Sequence, residues 1–126
     1  MRSTDSGGAV GDTAEWWSVC AVSDLEPGRG ATALVHGQAL AIFLLADGTV
    51  LALGNHDPFD PTGSLARGVV GERAGTAFVG SPSHGHAFDL RTGVCLDHTA
   101  VHVPVYAVRV REGTVEVGSR IRESVT

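Results

Sequence analysis

The sequence predicts an all-β domain, a small antiparallel sandwich or barrel, on three observations. Short β-prone runs recur along most of the chain. They are separated by turn residues, supplied by 17 glycines and 5 prolines, which provide the positive or fixed φ that tight reversals need. No segment carries the 3.6-residue apolar period of an amphipathic helix.

Taken in order, residues 1–14 are small and polar, with too little apolar surface to offset ordering entropy, and are expected to be a flexible tail. Order is expected from Trp16-Trp17-Ser18-Val19-Cys20, followed by a turn over residues 23–28. Residues 31–35 and 39–44 form two strands about the tip His36-Gly37. Asp47-Gly48 then predicts a type I′ hairpin turn into 49–53, since that turn requires positive φ. Residues 54–74 break the pattern and read as a long loop, of the kind that is often functional in a compact domain. Strand character returns at 76–80 and, after the turn Ser81-Pro82-Ser83-His84-Gly85, at 86–90. The clearest hairpin comes last: 105–111 turns at Glu112-Gly113 into 114–117, with Tyr106, Val108 and Val110 on one face and Arg109 and Arg111 on the other. Phe43, Phe78 and Phe88 sit inside apolar runs and are expected in the core. The whole is one domain over residues 15–118, with a C-terminal tail over 119–126.

Composition excludes several function classes. The net charge is −5, and the nine basic residues are all arginine, which supplies neither the basic stripe of a nucleic-acid binder nor a polybasic membrane patch. The longest apolar run, 39–46, is far shorter than a membrane span, and the N-terminus lacks the apolar stretch of a signal peptide. Cys20 and Cys95 are expected to be reduced, buried thiols, and the chain to be cytoplasmic.

The chemistry-bearing feature is a pair of loops. Ser81-Pro82-Ser83-His84-Gly85, running into Phe88-Asp89, resembles the second ligand loop of Rieske domains, Cys-Pro-x-His-Gly. Asn55-His56-Asp57-Pro58-Phe59 resembles the first, Cys-x-His. A Rieske centre takes two thiolates on one iron and two imidazoles on the other. On that pattern Asp57, Phe59 and Ser81 stand in three ligand positions, and His84 alone keeps a ligand type. Phe59 offers no donor, and a serine hydroxyl is a hard substitute for thiolate. The resemblance implies a Rieske-like fold without its [2Fe–2S] cluster.

Those loops, with residues 65–71, Phe88-Asp89-Leu90-Arg91-Thr92-Gly93, Trp17-Ser18-Val19-Cys20 and residues 103–110, are similar to the small subunit of cytoplasmic NAD(P)H-dependent nitrite reductase, over roughly 16–117. His84-Gly85-His86 keeps more of the Rieske loop than that family is expected to keep. The resemblance implies a subunit with no redox cofactor and no catalytic residue of its own. It would support a large subunit that carries FAD, [4Fe–4S] and sirohaem and reduces nitrite to ammonia in nitrate assimilation. Pro58, Phe59, Arg67, Pro82 and His84 are the candidate interface. Phe59 is either an exposed anchor or a plug in the space the cluster left, and Asp57 is expected to cap its loop ahead of Pro58. Arg73 is a further candidate for docking. Two alternatives stand beside this reading: a stand-alone binding or regulatory module, and a metal site at His84, His86, His98 and His102. The metal site has little behind it, because no Cys or Asp ligand cluster backs the histidines.

Overall fold

The computed structural model describes residues 15–83 and 85–121; the expected tail over 1–14, most of the one over 119–126, and His84 lie outside them. The strands are β1 (Trp17–Ala21), β2 (Ala31–Val35), β3 (Gln38–Leu44), β4 (Val50–Gly54), β5 (Val69–Arg73), β6 (Thr76–Gly80), β7 (Ala87–Asp89), β8 (Val105–Arg111) and β9 (Thr114–Arg120). Two antiparallel sheets result, one of six strands in the order β1-β9-β8-β4-β3-β2 and one of three, β5-β6-β7.

β3 explains why its sequence shows no alternation. Ala41 and Phe43 enter one core cluster and Leu40, Ile42 and Leu44 a second, so both faces are covered. β4 divides likewise, Leu53 going to the first cluster and Val50 and Ala52 to the second. The first cluster joins β3 and β4 to the small sheet through Val79, Phe88 and Leu90; the second brings in Val115 and Val117 of β9. The β1 and β2 edges of the large sheet approach each other, with Trp17 edge-on to His36 at 4.4 Å between ring centroids.

Five expectations are corrected, the last of them the burial of Cys20. Residues 54–74 are not all loop, because Val69–Arg73 pairs along its length with Thr76–Gly80. The turn that makes this possible is Ala74-Gly75, where both φ values are positive, 51° and 84°, as type I′ requires. Asp47-Gly48 is not type I′. Only Gly48 has positive φ; Gly48 N–H donates to Leu45 O and Leu45 N–H to Thr49 O, a three-residue loop closed by a G1 bulge. Phe78 is half-buried rather than core. Val79 fills the inner face of β6, while Phe78 lies over Gly71 on the outer face under the Arg73 guanidinium, 5.3 Å from its ring. The last strand also runs past its expected end at Val117, to Arg120. Cys20 and Cys95 are free, Cys95 buried and Cys20 half-buried; burial and then the Asp24 carboxylate push the Cys20 thiol up.

Candidate functional site

β4 delivers the chain into the first loop at Gly54, whose N–H donates to Pro104 O. Asn55 then organises the loop itself. Its Oδ1 accepts from Ser64 Oγ (3.1 Å) and from Ala66 N–H (2.8 Å), and its carbonyl accepts from Leu65 N–H (2.9 Å). These bonds pin both ends of a loop that would otherwise splay.

Inside the loop Asp57 is fully buried. Its Oδ1 accepts from Phe59 N–H at 2.9 Å, the capping expected of an Asx residue ahead of a proline. Its Oδ2 is buried with no hydrogen-bond partner among the described residues. Gly63 closes over it, since a Cβ there would lie 3.0 Å from Asp57 Cβ. Asp60 ties the two loops together by accepting from Ser83 Oγ as well as from Thr62. In the second loop Ser81 is buried and its N–H donates to His86 O (2.9 Å).

Phe59 is half-buried and packs on the first core cluster. Its ring stacks on His86 at 4.0 Å and 19°, and meets Phe88 at 6.2 Å and His98 at 5.5 Å. Of the two roles open to it, the packing is that of a plug, with Pro58 and Pro82 the exposed residues beside it in the two loops.

A third loop, unrecognised in the sequence as part of this site, completes it. Asp97 Oδ2 accepts from Ala87 N–H at 2.8 Å and lies 3.7 Å from Arg73 through its other oxygen, while the His98 ring sits 5.3 Å from His86. The Ala87 bond holds the Asp97 carboxyl below the usual carboxylate range; burial opposes it, and Arg73, His86 and His98 reinforce it. The sequence offers this loop only through His98, grouped with His84, His86 and His102 in the alternative metal site. Arg67 is exposed on an open cleft with Gly30, Thr32, Thr62 and Ser64. Arg73 is engaged with Phe78 and Asp97.

As a cluster site the arrangement does not fit. Its described ligand positions hold a buried carboxylate, a phenyl ring and a hydroxyl, where two thiolates and two imidazoles are needed. No group of three or more ligating side chains among the described residues is placed to hold a metal ion. The arrangement does provide a compact aromatic and proline surface over three mutually braced loops.

Known proteins resemble the chain along the same lines. Residues 15–118 match the Rieske-like [2Fe-2S] domain family. The chain is 35% identical over 104 residues to the NADH nitrite reductase small subunit of Salmonella typhimurium, covering 82% of this chain and 96% of that one. It superposes on the crystal structure of a protein described as an NADH-dependent nitrite reductase small subunit of Mycobacterium tuberculosis with a TM-score of 0.81 at 45% identity, covering 89% of this chain and 98% of that one. A protein of Klebsiella oxytoca named nitrite reductase [NAD(P)H] large subunit contains a stretch 30% identical over 105 residues, 83% of this chain and 11% of that one. The chain belongs to the Rieske-like domain family and, within it, to the small subunits of NAD(P)H nitrite reductase.

Proposed function

We propose that this chain is the cluster-free, non-catalytic small subunit of a cytoplasmic, assimilatory nitrite reductase and acts by docking on a separate large subunit. The observation that carries the reading is the match over 96% of the Salmonella small subunit, which makes the chain comparable with a whole subunit. FAD, [4Fe–4S] and sirohaem belong to the large subunit in this reading, and nitrite reduction takes place there. The small subunit contributes a folded surface: Pro58, Phe59 and Pro82 at the loop pair, His84 just beyond Pro82 in the second loop's sequence, and Arg67 on the neighbouring cleft.

The physical support is preorganisation. Asn55, Asp57, Asp60 and Asp97 fix the loops through hydrogen bonds, so little conformational entropy remains to be lost on docking. Prolines at 58 and 82 limit it further. Phe59 supports the surface from beneath, its half-buried ring stacked on His86 and meeting the exposed His98.

Co-expression with a nitrite reductase large subunit from the source organism tests the proposal. The two chains are expected to co-purify, and nitrite-dependent oxidation of NAD(P)H by the large subunit is expected to fall when this chain is omitted. A large subunit that is fully active alone, with no co-purification, sinks it.

A further inference from the structure

The strand pairing collects features at one rim of the large sheet that are scattered in the sequence. β1 begins beside the end of β9, with Trp17 opposite Val117. The end of β9 lies beside the start of β8, Ile121 N–H donating to Val105 O at 2.7 Å. The start of β8 lies beside the end of β4, with Val105 opposite Leu53, and there Asn55 opens the first ligand-type loop. Both ends of the domain therefore leave it at the rim that carries the loop of Asp57 and Phe59. Strands lie about 4.8 Å apart, so the end of β9 is roughly 10 Å and the start of β1 roughly 15 Å from the end of β4. Those ends are held close to the rim, for Trp16 lies over Gly118, a Cβ there reaching 3.0 Å from its ring, and under the Arg109 guanidinium at 4.3 Å.

The Klebsiella relative makes this placement informative. It carries a domain like this one within a large subunit, so there the connecting chain enters or leaves at this rim, whichever end is joined. A covalent link also delivers one such domain per large chain. We propose that the rim where β1 begins and β9 ends, together with the first loop, is the face turned toward the large subunit, and that the two associate one to one. This rests on the partnership proposed above. The turns at the far rim, Ala46-Asp47-Gly48 and Glu112-Gly113, face away.

The test is cross-linking within the co-purified complex. In a Cys20→Ser background, His56→Cys and Arg120→Cys place a thiol-attached benzophenone on the proposed face, and Ala46→Cys and Arg111→Cys place it at the far rim; all four positions are exposed. Photolysis is expected to couple the first pair to the large subunit and leave the second pair uncoupled, and native mass spectrometry is expected to find equal numbers of the two chains. Coupling from the far rim, or from neither rim while the complex persists, overturns the assignment of the face. Unequal numbers overturn the stoichiometry. Failure of the unsubstituted chains to co-purify overturns the partnership itself, which separates the two readings.

Discussion

Phe59 concentrates the site's physics in one side chain. It fills space over Phe88 and is itself covered by His86 and His98, so truncation removes core packing as well as a surface contact. Phe59→Asp places a second carboxylate next to the buried Asp57, and is expected to cost about 2–4 kcal/mol by urea denaturation, with Phe59→Leu costing less than half as much. A Phe59→Asp protein as stable as the parent would mean the ring is not a plug. Asp97 makes the acid-side prediction. Its carboxyl is held below the usual range in the fold, so its contribution is present above the ordinary carboxylate pKa and is lost as pH falls through the lowered one. Asp97→Asn is expected to lessen the decline in melting temperature below about pH 4; an unchanged acid limb would contradict this. Asp47, lowered by its bonds to Thr49, keeps its own share. The Asp57 cap is legible in the sequence because it is local, two residues along the chain. The His86 and His98 contacts with Phe59 join positions far apart in sequence, and no local pattern encodes them.

At the level of elements, the hairpins follow turn chemistry closely. His36-Gly37, Ala74-Gly75 and Glu112-Gly113 each place two successive residues at positive φ, which sets a two-residue reversal and therefore the register of β2–β3, β5–β6 and β8–β9. Most strands are readable from their apolar runs. β5 is not, because Gly71, Glu72 and Arg73 dilute it and Ala74 is an unusual residue for the first position of a type I′ turn. Phe78 escapes the sequence reading because period two says which residues share a face, but not which face meets the core. The correction has a measurable consequence: Phe43→Ala and Phe88→Ala are expected to cost about 3–5 kcal/mol. Phe78→Ala removes half-buried area and one contact with Arg73, and should cost about 1–2 kcal/mol. Equal losses in all three would put Phe78 back in the core. The loop pair can be tested as a unit by restoring the donor types. Asp57→Cys, Phe59→His and Ser81→Cys together with the native His84 recreate two thiolates and two imidazoles, and the triple variant is expected to take up iron and sulfide on anaerobic reconstitution while the parent takes up neither. Iron bound stoichiometrically by the parent would refute the cluster-free reading.

Across the whole molecule, the two core clusters make β3 and β4 the shared wall between the two halves of the domain. Their burial on both faces is why a single chain of this length supports two sheets rather than one sheet and a disordered flap. The fold class and the first two loops are legible in the sequence because motif and turn residues are short-range signals. The third loop and the common rim arise from the strand order, which pairs the first strand with the last. That same pairing governs how the domain would respond to tension. Because β1 and β9 are antiparallel neighbours whose free ends lie side by side, a pull on the two termini loads their hydrogen bonds one after another, from Trp17 and Val117 inward, instead of all together in shear. The domain is therefore expected to peel open in an optical trap at low force, beginning with β1. Pulling instead on the start of β1 and on the turn at residues 112–113, which lie at opposite ends of the β1–β9 pair, loads the same bonds together in shear and is expected to meet much greater resistance.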